Sequence, residues 1–146
     1  LLPVHQLETE FHRLINQVIS FSHMSIIVKN SKIQGKGVFA NLNFKKGDIV
    51  MKWDASMILT EKEAKKIPKR YKKYMVFYKG KYILAQSPEK YLNNSCGPNT
   101  KEGKLCDVAI KNINKGEELT TDYSMDVPHH YKMKCTCGSK KCRKII

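Results

Sequence analysis

The chain has 146 residues and a formal net charge of +14, with 27 lysines and arginines against 13 aspartates and glutamates. This length fits one compact domain that buries a core. No apolar run reaches the ~18 residues of a membrane-spanning helix, and Glu8 and Glu10 interrupt the N-terminal segment where a secretory signal would be apolar. The sequence therefore predicts neither a membrane protein nor a secreted one.

Most of the positive charge comes from lysine. A surface this basic attracts polyanions, which favours electrostatic contact with nucleic acid or nucleoprotein. The alternative is a solvated, lysine-rich surface that has no such partner. Arginine, whose guanidinium group commonly reads bases in the DNA groove, occurs only as Arg13, Arg70 and Arg143. Sequence-specific DNA recognition is therefore disfavoured.

Residues 1–22 form a separate unit with helical periodicity. Apolar side chains recur there at alternating spacings of three and four residues, at Val4, Leu7, Phe11, Leu14, Val18 and Phe21. Pro3 is well placed for the first turn of a helix. The pattern predicts an amphipathic helix that docks on the domain's own core or binds a partner chain.

From Met24 onward the sequence is typical of short strands separated by turns. The predicted strands cover residues 25–28, 38–40, 49–51, 75–78, 82–85, 105–111 and 118–121. A capping box at Thr60 and Glu63 predicts a short helix, which Pro68 ends before a second turn. Together these elements predict a mainly β fold with few helices.

The C-terminal tail concentrates three of the five cysteines, at Cys135, Cys137 and Cys142. An odd count crowded at one end is atypical of a secreted disulfide scaffold, and favours an intracellular protein with thiolate metal ligands. A structural zinc site needs four tetrahedral ligands. Nearby basic residues, Arg143 among them, would help keep the thiols deprotonated. The candidates for the fourth ligand are Cys96, Cys106, His129 and His130.

Three further features are ambiguous when each is taken alone. The polar run from Tyr91 to Thr100, Tyr-Leu-Asn-Asn-Ser-Cys-Gly-Pro-Asn-Thr, is either a structural turn or a binding loop. The Gly35-Lys36-Gly37 turn indicates only that the backbone approaches something closely. Tyr123 by itself is an aromatic residue at the end of a strand.

Taken together and in this order, the segments resemble the SET-domain protein-lysine methyltransferases that carry a post-SET tail. The family's Gly-x-Gly matches residues 35–37, and its Arg-Phe-Ile-Asn-His-Ser-Cys-x-Pro-Asn signature is similar to residues 90–99. Its Gly-Glu-Glu-Leu-Thr-Tyr-Asp-Tyr segment is similar to residues 116–123. The resemblance implies a SET domain over residues 23–130 and a post-SET zinc segment over residues 131–146.

The resemblance also implies an activity and a cofactor. The chain would transfer methyl groups from S-adenosylmethionine to lysine side chains of a histone or another basic protein. The backbone of Gly35, Lys36 and Gly37 would contact the methionine part of the cofactor, while Asn93 and the backbone of Asn94 would hold the cofactor at the centre of the site.

Further roles carry over from the family to single residues. Tyr123 matches the active-site tyrosine, which also adjoins the cofactor. Cys96 matches the cysteine that completes a structural zinc site with the tail thiols Cys135, Cys137 and Cys142. The family's compact β fold also passes the segment after Asn99 beneath another part of the chain, as a pseudoknot.

The chemistry requires an uncharged amine, whereas free lysine has a pKa near 10.4. An apolar channel disfavours the ammonium form, and so does the neighbouring sulfonium charge. The site must then align nitrogen, carbon and sulfur for in-line displacement. We expect the hydroxyl of Tyr123 to bind the amine or polarise the methyl group while its ring forms part of the channel wall.

Several departures from the family pattern keep other functions open. Asn94 replaces the usual histidine, which puts the bracing by that side chain in doubt, and Thr121 replaces an aromatic residue that influences how many methyl groups are added. The aromatic-x-Gly motif before the asparagines is absent. The alternatives are a non-catalytic binding module and a small zinc-containing nucleic-acid-binding protein. Four tyrosines are candidates for channel walls or for core packing: Tyr71, Tyr74, Tyr78 and Tyr82.

Overall fold

A computed structural model describes residues 25–125 and 132–146 of the chain. These residues form ten short strands: β1 (Ile26–Asn30), β2 (Lys36–Ala40), β3 (Ile49–Lys52), β4 (Ile58–Leu59), β5 (Met75–Tyr78), β6 (Lys81–Leu84), β7 (Asn93–Asn94), β8 (Thr100–Glu102), β9 (Cys106–Ala109) and β10 (Glu118–Thr121). They also form two short helices, α1 (Glu61–Lys66) and α2 (Lys69–Lys72), and two 3-10 helices, Glu89–Tyr91 and Tyr123–Met125. The predicted mainly β fold with few helices is confirmed.

The strands of the described residues form three small sheets. One has the order β1-β2-β10-β7, the second β3-β9-β8 and the third β4-β6-β5. In the first sheet β10 pairs with β2 antiparallel and with β7 parallel. Strand β10 therefore lies between the segment that follows the glycine turn and the segment that carries the paired asparagines.

The hydrophobic core lies between the first two sheets. Its most completely buried members are Val38 on β2, Leu119 on β10 and Ile113, each with no exposed surface, together with Val50 on β3 and Ala109 on β9 at 2% exposure. Burial of a Val, Leu or Ile side chain contributes about 1.5–3 kcal/mol. Because β10 supplies Leu119 to this core, the residues that follow it are attached to a rigid part of the molecule.

The capping box predicted at the start of α1 is present. The Thr60 hydroxyl accepts from the Glu63 backbone N–H at 3.3 Å, and the Glu63 carboxylate accepts from the Thr60 backbone N–H at 2.8 Å. Pro68 separates α1 from α2, as expected for a residue that cannot continue a helix.

Three strands were not predicted: β4, β7 and β8. They have two or three residues each, which is too short for an alternating pattern to be recognised. β7 consists of Asn93 and Asn94, residue types that are depleted in strands. Its pairing with β10 is therefore determined by tertiary structure.

The predicted N-terminal helix over residues 1–22 lies outside the described residues, as do His129 and His130. The pseudoknot implied by the family resemblance stays a prediction. Within residues 25–125 and 132–146, no helix is long and apolar enough to cross a membrane.

Candidate active site and metal centre

Strand β10 brings the separate polar motifs of the sequence to one place. Thr120 pairs with Asn93 and Thr121 with Asn94 across the parallel ladder, while Leu119 pairs with Val38 on the other side. Tyr123 follows β10 after a single residue, Asp122. The glycine turn, the two asparagines and the tyrosine are therefore held side by side, although 88 positions separate residue 35 from residue 123.

Asn93 supports the glycine turn through its side-chain amide. Its Nδ2 lies 3.2 Å from the carbonyl oxygen of Gln34, 3.0 Å from that of Lys36 and 2.8 Å from Oε1 of Glu118. The same Glu118 carboxylate fills the space beside Gly37, where a Cβ would lie 2.2 Å from Oε1. Residue 37 must therefore be glycine for this carboxylate and Asn93 to meet.

Asn94 braces the site with its side chain. Its Oδ1 accepts from the backbone N–H of Tyr123 at 2.9 Å, and its Nδ2 donates to Sγ of Cys135 at 3.2 Å. The residue is buried, with 7% of its surface exposed. The replacement of the family's histidine therefore does not remove the bracing that the sequence put in doubt.

Tyr123 lies between two cavities. The larger has a volume of about 250 Å³ and is also lined by Thr121, Leu92 and Met133. The smaller cavity has a volume of about 10 Å³. Besides Tyr123, it is lined by Ile33, Gln34 and Asn94 and by the tail residues Met133, Lys134, Cys135, Thr136 and Ile146. The Tyr123 hydroxyl donates a hydrogen bond to the carbonyl oxygen of Leu92, which fixes the ring at the boundary.

The four tyrosines that are candidates for channel walls lie in different places. Tyr74 and Tyr82 line the larger cavity. Tyr78 packs edge-on against Trp53, another lining residue, with ring centroids 5.6 Å apart. Tyr71 is 42% exposed. The cavity wall is thus largely aromatic and apolar, as a channel for an aliphatic side chain requires.

Four thiols lie close enough to share a metal ion. The sulfur atoms of Cys96, Cys135, Cys137 and Cys142, which we call the thiol cluster, all lie within 4.8 Å of one another, and Cys96 Sγ lies 3.8 Å from Cys135 Sγ. Tetrahedral ligation with Zn–S bonds of about 2.3 Å separates sulfurs by about 3.8 Å. The donor set therefore fits a structural zinc ion. Cys106, the alternative ligand, is buried on β9 outside this cluster.

The thiol cluster joins the tail to the body of the domain. Cys96 belongs to the loop after β7, and the other three thiols belong to the tail. The tail is also attached where the Thr136 hydroxyl donates to the carbonyl of Ile33 at 2.9 Å. Hydrogen bonds from the backbone N–H groups of Cys96 and Ser139 help to lower the pKa of Cys137 to about 6 in spite of its burial. At neutral pH a thiolate is thus available to bind metal.

Arg143 connects the thiol cluster to both neighbours of Tyr123. Its Nε donates to Cys96 Sγ at 3.3 Å, Nη2 pairs with the Asp122 carboxylate at 2.6 Å and Nη1 donates to Ser124 Oγ at 2.9 Å. Hydrogen bonds from Arg143, first from its backbone N–H, lower the pKa of the Cys96 thiol. One side chain therefore ties a thiol of the cluster to the segment that carries the tyrosine.

We expect Arg143→Lys to loosen this connection without unfolding the domain. Lysine keeps the positive charge but lacks the planar fork that contacts three partners. The rate of zinc release to a colorimetric chelator should rise by about three- to tenfold, equivalent to about 0.7–1.4 kcal/mol, since the pair with Asp122 is partly exposed. Lys140→Ala, at an exposed position in the same tail, is the matched control. Equal release rates for Arg143→Lys and wild type would refute the connection.

Two buried carboxyl groups, which sequence reasoning missed, also line the larger cavity. We call Glu89 and Asp107 the carboxyl pair; they are 9% and 1% exposed. Burial raises the pKa of each to about 7. The signal available in the sequence was an aspartate in the middle of a predicted strand, where that residue type is depleted.

The raised pKa of Asp107 predicts a dependence of stability on pH. Aspartate in the unfolded chain ionises near 3.9, so between about pH 4 and about pH 7 the native state holds a proton that the unfolded state has released. The free energy of unfolding therefore falls as pH rises through this window. Asp107→Asn removes the titration and keeps an oxygen acceptor.

The free energy of unfolding of Asp107→Asn, relative to that of wild type, should accordingly increase by on the order of 1–3 kcal/mol between about pH 5 and about pH 8. Urea unfolding at the two pH values measures the difference. Asp48→Asn, at an exposed turn, controls for removal of an acidic residue. A constant difference between Asp107→Asn and wild type would show that Asp107 ionises normally.

Comparison with known proteins agrees with this geometry. Residues 35–124 match the family model of the SET domain. The chain is 30% identical over 159 aligned positions to histone-lysine N-methyltransferase 2D of Homo sapiens, covering 97% of this chain and 3% of that protein. It is 28% identical to histone-lysine N-methyltransferase trr of Drosophila melanogaster, covering 82% of this chain and 6% of that protein.

A third relative matches a shorter part of the chain. The H3 lysine-9 specific histone-lysine N-methyltransferase KMT1 of Fusarium mangiferae is 38% identical over 80 positions, which cover 40% of this chain and 23% of that protein. The chain therefore spans only a small part of each relative. The family match includes the glycine turn, the paired asparagines and Tyr123, and the thiol cluster fits a post-SET zinc site. The protein is a member of the SET-domain family.

Proposed function

We propose that the protein transfers a methyl group from S-adenosylmethionine to the side-chain amine of lysine in a protein substrate. The observation that carries this proposal is the placement of Tyr123 as a shared wall of two cavities. An acceptor amine on one side and a methyl donor on the other would meet at such a wall. Membership of the SET-domain family and relatives named as histone-lysine N-methyltransferases support the same chemistry.

The donor side would be the smaller cavity, because it borders the glycine turn and the tail. Gly35, next to the Gln34 that lines this cavity, has a φ of +47° and open space where a Cβ would lie, and the side-chain amide of Asn93 holds the turn in shape. The smaller cavity has room for about one water, so a nucleotide has to lie across its mouth or displace part of the tail. When bound, S-adenosylmethionine supplies an electrophilic methyl group on its sulfonium sulfur.

The acceptor side would be the larger cavity, whose aromatic walls suit the methylene groups of lysine. The Tyr123 hydroxyl uses its proton in the bond to Leu92, so its oxygen keeps lone pairs that can accept an N–H from the substrate amine. That hydrogen bond would orient the nitrogen lone pair toward the donor. Tyr123 is therefore a positioning group for the amine, and it need not be a strong base.

Zinc, held by Cys96, Cys135, Cys137 and Cys142, would supply structure to the tail and stay away from substrate. Its ligands are the donor set that structural zinc prefers. The thiol of Cys135 also accepts from Asn94, whose amide oxygen holds the Tyr123 backbone. Order in the tail and order at Tyr123 would thus depend on the same metal.

The proposed substrate is a histone or another basic protein, in keeping with what the relatives are named for. The chain's own charge of +14 repels a free lysine-rich peptide at long range. A nucleoprotein, in which phosphate offsets the charge, would attract it instead. Contact with nucleic acid stays a prediction, as does an intracellular location.

The test is a methyl-transfer assay with purified, zinc-loaded protein. Radiolabelled S-adenosylmethionine and a mixture of histones and other basic proteins should give label on lysine, located by mass spectrometry. Isothermal calorimetry should find one site for the methyl donor per chain. Donor binding without transfer would favour a non-catalytic module. Absence of binding, combined with tight and salt-sensitive binding of DNA or RNA, would favour the nucleic-acid-binding alternative.

A further inference from the structure

The wall of the larger cavity contains an unpaired acidic oxygen. Asp107 Oδ2 accepts from the indole N–H of Trp53 at 2.6 Å, whereas Asp107 Oδ1 is buried and has no hydrogen-bond partner among the described residues. The other member of the carboxyl pair, Glu89, accepts from the backbone N–H of Asp54 at 2.8 Å. Both residues line the cavity, so they form part of the wall against which a ligand would lie.

An arrangement of this kind is incomplete without a partner. A buried polar atom that lacks a hydrogen bond costs about 1–3 kcal/mol, and a buried carboxylate is stable only when it is paired. The two ion pairs among the described residues are Glu61–Lys65 and Asp122–Arg143, and neither uses the carboxyl pair. The group that would satisfy Asp107 is therefore a hydrogen-bond donor, and a cation satisfies it best.

The aromatic side chains around the carboxyl pair favour the same ligand. Trp53, Tyr74 and Tyr82 line the cavity, and the faces of such rings attract ammonium groups. Four lysines, Lys65, Lys72, Lys73 and Lys90, also line the cavity, and two of them lie over the ring of Tyr74. The part of the cavity that is complementary to an alkylammonium ion is therefore the acidic end formed by the carboxyl pair and Trp53. A small hydrated metal ion is a poorer match, because the walls are apolar and the site offers only one unpaired oxygen.

The carboxyl pair also lies close to the tyrosine along the backbone. The N–H of Leu92 donates to the carbonyl oxygen of Glu89 at 2.9 Å, and the carbonyl of the same Leu92 accepts from the Tyr123 hydroxyl. A single 3-10 turn therefore links the acidic end of the cavity to the residue at which methyl transfer is proposed.

We propose that Asp107 and Glu89, together with the ring of Trp53, form a subsite for a protonated alkylamine, and that its ligand is a lysine side chain of the protein substrate. The identity of the ligand rests on the proposed function; the chemistry of the subsite does not. Two lysines of a substrate could supply the cation, namely the lysine to be methylated and a lysine beside it.

Each source gives the subsite a different task. For the lysine to be methylated, a carboxylate of the pair holds the ammonium and accepts one proton from it, which yields a carboxylic acid and a neutral amine. The pKa values near 7 of both carboxyls suit this exchange. For a neighbouring lysine, the pair remains ionised and determines which sequences bind.

The first experiment follows the fluorescence of Trp53, the single tryptophan of the chain, during titration with n-butylammonium. We expect a saturable change with wild-type protein and none with n-pentanol, a neutral molecule of similar length. Glu89→Gln, which leaves the bond between Trp53 and Asp107 in place, should weaken butylammonium binding about tenfold. A saturable change with pentanol equal to that with butylammonium would overturn the proposal.

Asp107→Asn gives the sharper comparison, because asparagine keeps an oxygen for the indole N–H and replaces the unpaired oxygen with a donor. It should abolish saturable binding. Glu61→Gln, an exposed acid on the rim of the same cavity, should leave the affinity within about twofold, because an exposed charge acts weakly at such sites. Circular dichroism establishes that the variants are folded. If folded Asp107→Asn and Glu89→Gln both bind like wild type, no such subsite exists.

A second experiment identifies which lysine is bound. Methyl transfer is compared for short peptides with one lysine and with two, using wild type and Asp107→Asn. A loss of about tenfold in kcat/KM with both peptides assigns the subsite to the methylated lysine, and a loss with the two-lysine peptide alone assigns it to the neighbour. Unchanged transfer with both peptides would contradict the proposal. If wild type methylates neither peptide, the butylammonium titration, which needs no methyl donor, still tests whether the subsite exists.

Discussion

Removal of zinc is expected to abolish both the folded tail and the binding of S-adenosylmethionine. The tail from residue 132 to 146 has one short β-bridge, Lys134 with Ile145, and its attachments to the domain converge on the thiol cluster. Structural zinc contributes about 10–16 kcal/mol to the folding of small zinc peptides. Without zinc, the hydrogen bonds of Thr136 and Arg143 are too few to offset the conformational entropy of ordering 15 residues.

The measurement combines chelation with a ligand variant. Treatment with a strong chelator, and separately Cys135→Ser, should lower zinc content from one ion per chain to well below one and remove calorimetric binding of the methyl donor. Cys106→Ala is the matched control, because Cys106 is a buried cysteine outside the cluster. It should keep one zinc ion, at a cost in stability of about 1 kcal/mol. Full zinc content and donor binding in Cys135→Ser would show that the thiol cluster is not the metal site.

Replacement of Tyr123 by phenylalanine is expected to reduce methyl transfer by about 10²- to 10³-fold. The ring would still separate the two cavities, but the amine would lose the acceptor that orients it, and misalignment of reacting groups is costly. Binding of the methyl donor should change by less than about threefold, because the backbone N–H of Tyr123 still donates to Asn94. Thermal unfolding should shift only slightly, by the loss of one hydrogen bond worth about 1 kcal/mol.

Single-turnover kinetics with excess enzyme measures this effect without interference from product release. Tyr71→Phe, at an exposed position away from the cavity lining, serves as the control and should transfer methyl groups at the wild-type rate. Wild-type turnover in Tyr123→Phe would remove the hydroxyl from the mechanism. A large loss of donor affinity in that variant would instead indicate that the tyrosine acts mainly by shaping the smaller cavity.

The parts of the fold that could be predicted are those determined by local sequence. The capping box at Thr60 and the strand at residues 75–78 depend on neighbouring residues and were found where expected. β10, with its run Glu-Leu-Thr-Thr, also begins and ends as predicted. The parts that could not be predicted depend on distant partners. β7 forms because β10 lies beside it.

The same distinction applies to the site. Three tail cysteines indicate a metal by their spacing, which leaves Cys96 and Cys106 both open as the remaining ligand. The family resemblance favours Cys96, and the fold brings its sulfur to the other three. Asn94 illustrates the point from the other side. The presence of asparagine in place of the family's histidine suggested a weakened site. Its contacts to Cys135 and Tyr123 are visible only in the three-dimensional structure. The carboxyl pair had no motif at all, because Glu89 and Asp107 are far apart in sequence and only the fold places both on the wall of one cavity.

The position of Tyr123 on the wall of both cavities has a consequence for how the protein can diversify. Tyr123 and Met133 line both cavities, so a change at either position would alter the proposed donor and acceptor sites together. Thr121 lines only the larger of the two. Variation at residue 121 can therefore alter which acceptor fits while the donor side remains intact, and libraries aimed at new substrates should begin at that residue.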